Sequence, residues 1–254
     1  MRAALQRPAL CSRPRFHTGR WRVGMALPVD LVVFDLMGTV VKDVGVMEEA
    51  LTRVLTMYGI PFSDADQRAM RGAGKRSAFA EILQRTFGAE KDADWCRARA
   101  EEMYSTFKSL LREGYSGRAT EEIPGSTATI GWLRERGAKV AATSALDVDL
   151  ALPLLERLGW AEGVFDCLVS TEEVPEGRPA PYMIFAAMMR TGTRDVRRVA
   201  VVGDTALDLL AGANAGVGWI IGVLSGVGTL ETLGMTRHTH ILGSVAGLPQ
   251  LWPA

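Results

Sequence analysis

The chain is 254 residues long, enough for one large domain or for a core carrying an inserted module. Its 29 basic side chains balance 29 acidic ones, so net charge implies no polyanion-binding surface, and no apolar run approaches the length that spans a bilayer. Nucleic acid and membrane are thus excluded as first partners, and three cysteines and three histidines without ligand spacing argue against a disulfide framework or a zinc site and for a cytoplasmic protein.

Residues 1–27 carry Arg2, Arg7, Arg13, Arg15, Arg20 and Arg22, with no acid before Asp30. They read as a disordered basic extension, a transit-like leader, or a start placed too early, and Met25 favours the last. Leu31, Val32, Val33 and Phe34 form a short β-branched and apolar run, the pattern of a strand buried on both faces. It ends in Asp35, followed by Gly38, which permits a sharp turn, and by the hydroxyl of Thr39. A carboxylate at a strand tip suits a metal ligand, a covalent nucleophile, or a simple turn cap.

Met47, Leu51, Val54, Leu55 and Tyr58 lie at helical spacing, with Gly59 to end the helix and Pro61 beyond it. A second start signal falls at Ser63 and Asp64, two glycines interrupt the pattern at residues 71–76, and helices resume over 78–87 and 92–111. Nothing between residues 44 and 115 resembles a strand, so a small all-helical module is predicted over 44–119. Its apolar face suits a homodimer or packing against the core equally well. Strand and helix alternation follows: helices over 127–136, 150–158, 182–190 and 211–215, strands over 139–144, 167–170, 198–204 and 219–224. The fold class is therefore α/β, a Rossmann-like doubly wound parallel sheet built from 28–43 and 120–254, with the helical cap inserted. Hinges are expected near 41–45 and 119–124.

In such a sheet the ligand crevice lies beyond the carboxyl ends of the strands. Asp35, Thr143, Ser144 and Asp204 stand at those ends, with Arg178 on a further loop. Carboxylates brought together repel unless a cation lies between them, so Asp35, Asp204 and Asp208 suggest Mg²⁺. Arg178 and the hydroxyl of Ser144 would complete a pocket for a tetrahedral anion.

These features resemble the haloacid dehalogenase superfamily over nearly all of residues 28–254. The resemblance rests on Asp35-Leu36-Met37-Gly38-Thr39, on the Thr143-Ser144 strand end, on Arg178, and on Gly203 through Asp208. It implies that Asp35 is the phosphoryl-accepting nucleophile. Asp35, Met37 through its carbonyl, and Asp204 would hold Mg²⁺ with Asp208 in support, and Ser144 and Arg178 would hold the phosphoryl oxygens. Gly38, Thr39 and Thr143 would line the substrate. Phosphatases of the superfamily carry a second Asp where this chain has Met37, and a thioether donates no proton.

The phosphonoacetaldehyde hydrolase branch and its phosphonatase-like relatives also lack that second Asp. Gly72-Ala73-Gly74-Lys75, residues 173–179, and Gly203-Asp204-Thr205 through Asn214-Ala215-Gly216 are similar to them. The resemblance implies a small phosphorylated or phosphonate substrate, and Lys75 as a cap amine that condenses with an aldehyde, so that the departing carbon becomes an enamine. Flanking Arg71 and Arg76 would depress its pKa. Taken alone, Lys75 reads as a solvated lysine at a helix start. Where phosphonatases place a Met and a His near the reacting group, this chain has Arg71 and Ala78, and Arg71 suits a second anionic group. A phosphomonoesterase and a non-catalytic phosphate-binding regulator are the rival readings.

Overall fold

The computed structural model describes residues 27–63, 66, 67, 70, 73–116 and 118–253. The basic extension up to residue 26 lies outside the described residues, as do Asp64, Arg71 and Gly72.

Strand β1 (Leu31–Asp35) is buried along its whole length. Leu31 and Val33 pack into one apolar cluster and Val32 and Phe34 into another, which is why the segment is continuously apolar rather than alternating. Around it lie β2 (Lys139–Ser144), β3 (Cys167–Ser170), β4 (Val199–Gly203), β5 (Trp219–Val223) and β6 (His240–Leu242). The order is β3-β2-β1-β4-β5-β6, and every pair is parallel. The chain fills one side of β1 before crossing to the other, so the topological switch falls between β1 and β4, where a crevice opens.

Helices α4 (Ser126–Glu135) and α5 (Val148–Arg157) cover the face of Val32 and Phe34, while α6 (Tyr182–Thr191) and α7 (Ala206–Ala215) cover the face of Leu31 and Val33. Two helices near the end were not anticipated: α8 (Leu230–Gly234) and α9 (Leu248–Leu251). They are short, and β6 has His240 stacked on Trp219, a contact that no local periodicity reveals.

Among the described residues, three helices make up the insertion between β1 and α4: α1 (Val46–Met57), α2 (Lys75–Phe87) and α3 (Ala93–Ser116). Their apolar stripes face one another and the core, with Phe79 edge-on to Phe107 at 5.8 Å between ring centroids. The expected hinge segments pair with each other. Ile123 N donates to Val40 O at 2.8 Å, Lys42 N to Glu121 O at 2.9 Å, and Val41 bridges Glu122 in antiparallel fashion. Both crossings into the helical insertion thus form one short ribbon.

Candidate active site

The floor of the crevice is built from the tips of β1 and β4. Phe34 is level with Val202 and Asp35 with Thr143, so Asp35 and Asp204 leave adjacent strands side by side. Gly38 turns the chain with φ 84°, a conformation costly for any residue with a Cβ. Thr39 Oγ1 then donates to Asp204 Oδ1 at 3.1 Å. The other oxygen of Asp204 accepts from Val227 N at 2.9 Å, on the loop after β5. That loop approaches so closely that a Cβ on Gly226 would stand 2.0 Å from Asp204 Oδ2. Ser225 Oγ closes the ring by donating to Gly38 O at 2.8 Å. The sequence reading missed this 225–228 loop, whose Ser-Gly-Val-Gly run at a strand end was the available signal.

Arg178 lies between Asp35 and Asp208. Its Nη1 donates to Asp35 Oδ1 at 2.6 Å and to Asp208 Oδ1. Asp208 is oriented by the start of α7, where Thr205 N and Thr205 Oγ1 donate to its Oδ2 at 2.9 and 2.5 Å. Oxygens of Asp35, Asp204 and Asp208 lie within 4.8 Å of one another, all buried. Burial, opposed by Arg178 but helped by the charges of Asp208 and Asp204, pushes the Asp35 carboxyl up to about 8. Burial and then Asp208 raise Asp204 to about 6. Burial disfavours the charge on Arg178, but Asp208 and Asp35 outweigh it and hold the guanidinium protonated.

Three crowded carboxyls with hard oxygen donors, of which Asp35 and Asp204 are pushed toward their neutral forms, match what a divalent cation such as Mg²⁺ relieves. The residues present therefore fit the ion. Arg178 Nε, buried and without a hydrogen-bond partner among the described residues, is a donor of the kind an anionic oxygen satisfies.

Asp35, Met37, Gly38, Lys75, Ser144, Arg178 and Asp204 line one cavity of about 70 Å³. Its remaining wall includes Met47, Leu51 and Leu146, all apolar, with Asp43 and Gln67 among the polar groups. Ser144 Oγ accepts from Leu146 N at 3.0 Å. Thr143 lies apart from this cavity, its Oγ1 donating to Phe34 O at 3.3 Å beside a smaller void behind Asp35. Thr39 is fully buried against Asp204.

Lys75 is the least expected member. It opens α2, yet only 4% of it is exposed. Its Nζ donates to Met70 O at 2.8 Å and Ala73 O at 2.9 Å. Burial chiefly, and then the positive charge of Arg178, lower its pKa to about 8, while Asp35 pulls the other way. The expectation that Arg76 supplies the repulsion is corrected here, because Arg76 turns away to stack on Tyr104 and pair with Glu101. Successive residues of a helix point about 100° apart, so neighbours in sequence need not share a face. Arg71 lies outside the described residues.

Among curated proteins, a phosphonoacetaldehyde hydrolase from Parabacteroides distasonis is 37% identical over 143 residues, 55% of this chain and 52% of that one, so the match spans about half of that relative. A phosphonoacetaldehyde hydrolase from Bacillus cereus is 28% identical over 224 residues, 84% of this chain and 81% of its own length. Among solved structures, a phosphonoacetaldehyde hydrolase-like protein from Oleispira antarctica superposes with a TM-score of 0.76 at 20% identity, covering 92% of this chain and 95% of that one. The family model of the haloacid dehalogenase-like hydrolases matches residues 29–216, from the start of β1 to the end of α7, and the chain belongs to that family of enzymes.

Proposed function

We propose that this hydrolase cleaves the carbon–phosphorus bond of a small aldehyde phosphonate, phosphonoacetaldehyde or a close relative. The observation that carries the reading is a buried, pKa-depressed Lys75 in one cavity with Asp35, in a site whose expected proton donor is replaced by Met37.

The free amine of Lys75 adds to the aldehyde carbon, and loss of water leaves a protonated imine. The Asp35 carboxylate attacks phosphorus while the carbon–phosphorus bond breaks, and its electron pair flows into the iminium to give a neutral enamine. No proton is needed by the departing carbon at that moment, so the thioether of Met37 suffices where ester cleavage would call for an acid. Water then hydrolyses the Asp35 aspartyl-phosphate to inorganic phosphate. The enamine is protonated at carbon and hydrolysed, releasing the aldehyde and restoring Lys75. Arg178 and Ser144 hold the phosphoryl oxygens in this reading. Asp35, the Met37 carbonyl and Asp204 would hold Mg²⁺, with Asp208 steadying both Arg178 and the helix start. A bound ion supplies positive charge that keeps Asp35 ionised and offsets its repulsion from the phosphoryl group.

The test is phosphate release across a panel of phosphonates and phosphate esters, with Asp35→Asn as control and borohydride added during turnover. The expected result is release from an aldehyde phosphonate and reduction-trapped label on Lys75. Hydrolysis of phosphate esters that persists in Lys75→Ala, with no trapped label, would overturn the imine step and leave a phosphomonoesterase.

A further inference from the structure

Asp147 stands just after the Ser144 strand tip, in the capping position of α5, and is 2% exposed. A carboxylate so buried persists only when paired. Three partners reach it, all from the helical insertion. Tyr104 Oη donates to Oδ1 at 2.5 Å, Lys108 Nζ donates to Oδ2 at 2.8 Å, and Arg76 Nη1 lies 3.7 Å from Oδ1. Arg76 lies over the Tyr104 ring, 4.1 Å from its centroid, so the partners also brace one another. Lys108 reaches on to Asp149 Oδ1 at 3.0 Å, which Arg112 also pairs. The first turn of α5 is thereby tied to α3 across the boundary that a moving lid would open.

Both ends of this tie adjoin the cavity. On the insertion side Arg76 directly follows Lys75 in the first turn of α2. On the core side Ala145 and Leu146, which line the cavity with Lys75, directly precede Asp147. The backbone is tight here as well, since a Cβ on Gly74 would stand 3.2 Å from Thr171 Cγ2 of the core.

We propose that Asp147 is a positioning residue: gripped by Tyr104, Lys108 and Arg76, its carboxylate clamps the lid to the Ser144 loop and seats Lys75 against Asp35. The proposal builds on the reading of Lys75 as the reacting amine, but the clamp is measured without turnover. Lifting the lid exchanges two short charge-assisted hydrogen bonds for water, and such bonds are the strong ones. Burial, with the Asp147 hydrogen bond and charge, raises the Tyr104 hydroxyl above its ordinary range, so it stays a donor throughout neutral pH.

The experiment is reductive methylation of the full chain with formaldehyde and cyanoborohydride, following each lysine by peptide mass spectrometry. In the parent protein Lys75 should react far more slowly than exposed Lys42, Lys91 and Lys139. Tyr104→Phe and Lys108→Met should each speed Lys75 labelling by about tenfold, the equivalent of one lost charge-assisted hydrogen bond, and leave Lys42 unchanged. Lys108→Arg should keep the protection. Asp147→Asn should have the largest effect, and if it does not fold the two partner variants carry the test. Parent-like Lys75 labelling in folded Tyr104→Phe and Lys108→Met overturns the clamp. Loss of borohydride trapping with the labelling pattern intact would instead remove the imine and leave the clamp standing.

Discussion

Replacing Lys75 by Met offers the sharpest test of how the fold treats this amine. The side chain is 4% exposed, and its pKa falls from 10.5 to about 8 through burial first and Arg178 second. Such a shift raises the free-amine share at neutral pH roughly three-hundredfold, enough to supply a nucleophile that an exposed lysine could not. The same shift is a stability statement. A base whose folded pKa lies below its unfolded value destabilises the fold while protonated, so the penalty is fully present below about pH 8 and fades as pH rises toward the unfolded value. Linkage puts it at about 3 kcal/mol, of which about 2 kcal/mol should vanish between about pH 6.5 and pH 9.5. Lys75→Met also loses the hydrogen bonds to Met70 O and Ala73 O, but that cost hardly depends on pH. The pH dependence of the difference between parent and variant therefore isolates the titration. The assay is urea unfolding of both proteins across that range, paired with kcat/KM on an aldehyde phosphonate. The stability difference should move in the variant's favour as pH falls, and kcat/KM of the parent should climb through a midpoint near pH 8. A stability difference flat in pH would refute the depressed amine and with it the origin of the nucleophile.

Gly226→Ala should drive its new methyl into Asp204 Oδ2, which stands 2.0 Å from the ideal Cβ position, and weaken Mg²⁺ affinity in calorimetric titration by roughly tenfold or more. Unchanged affinity would mean that Asp204 does not hold the ion. Arg178→Met strands the buried carboxylates of Asp35 and Asp208, so chemical denaturation should report a loss of about 3–5 kcal/mol. A loss under about 1 kcal/mol would show that water replaces the guanidinium at little cost. Asp35 at about 8 and Asp204 at about 6 both lie above ordinary carboxylate values. Stability therefore falls as pH rises from the ordinary carboxylate range toward those values and levels off above them, and a cation relieves that cost. The rise in Tm on adding MgCl2 should therefore be larger near about pH 8.5 than near about pH 6, with protons released on binding, and the opposite trend would remove these acids from the ion's shell.

Much of the architecture was legible before any coordinates. The unbroken apolar run of β1 announced a strand covered on both faces, and the glycines and prolines around the helices marked their ends. The strands over 139–144 and 167–170 coincide with β2 and β3. Helix α7 starts at Ala206 rather than 211, because the Thr205–Asp208 capping box extends it by a full turn. The short terminal helices α8 and α9 escaped notice because four or five residues carry barely one turn of periodicity.

The site divides in the same way. Asp35, Ser144 and Asp204 could be placed at one edge from the sequence, because strand ends in a parallel sheet share an edge whatever the loops do. The environment of each residue was another matter. That Lys75 is buried rather than solvated, that Arg178 rather than Arg76 lowers its pKa, and that the 225–228 loop closes over Asp204 are all matters of packing between distant segments. Periodicity, caps and turns are local properties, written into neighbouring residues, and they determine elements and their order. Desolvation, charge pairing and the shape of a cavity depend on which remote side chains exclude water together, and only the folded chain decides that.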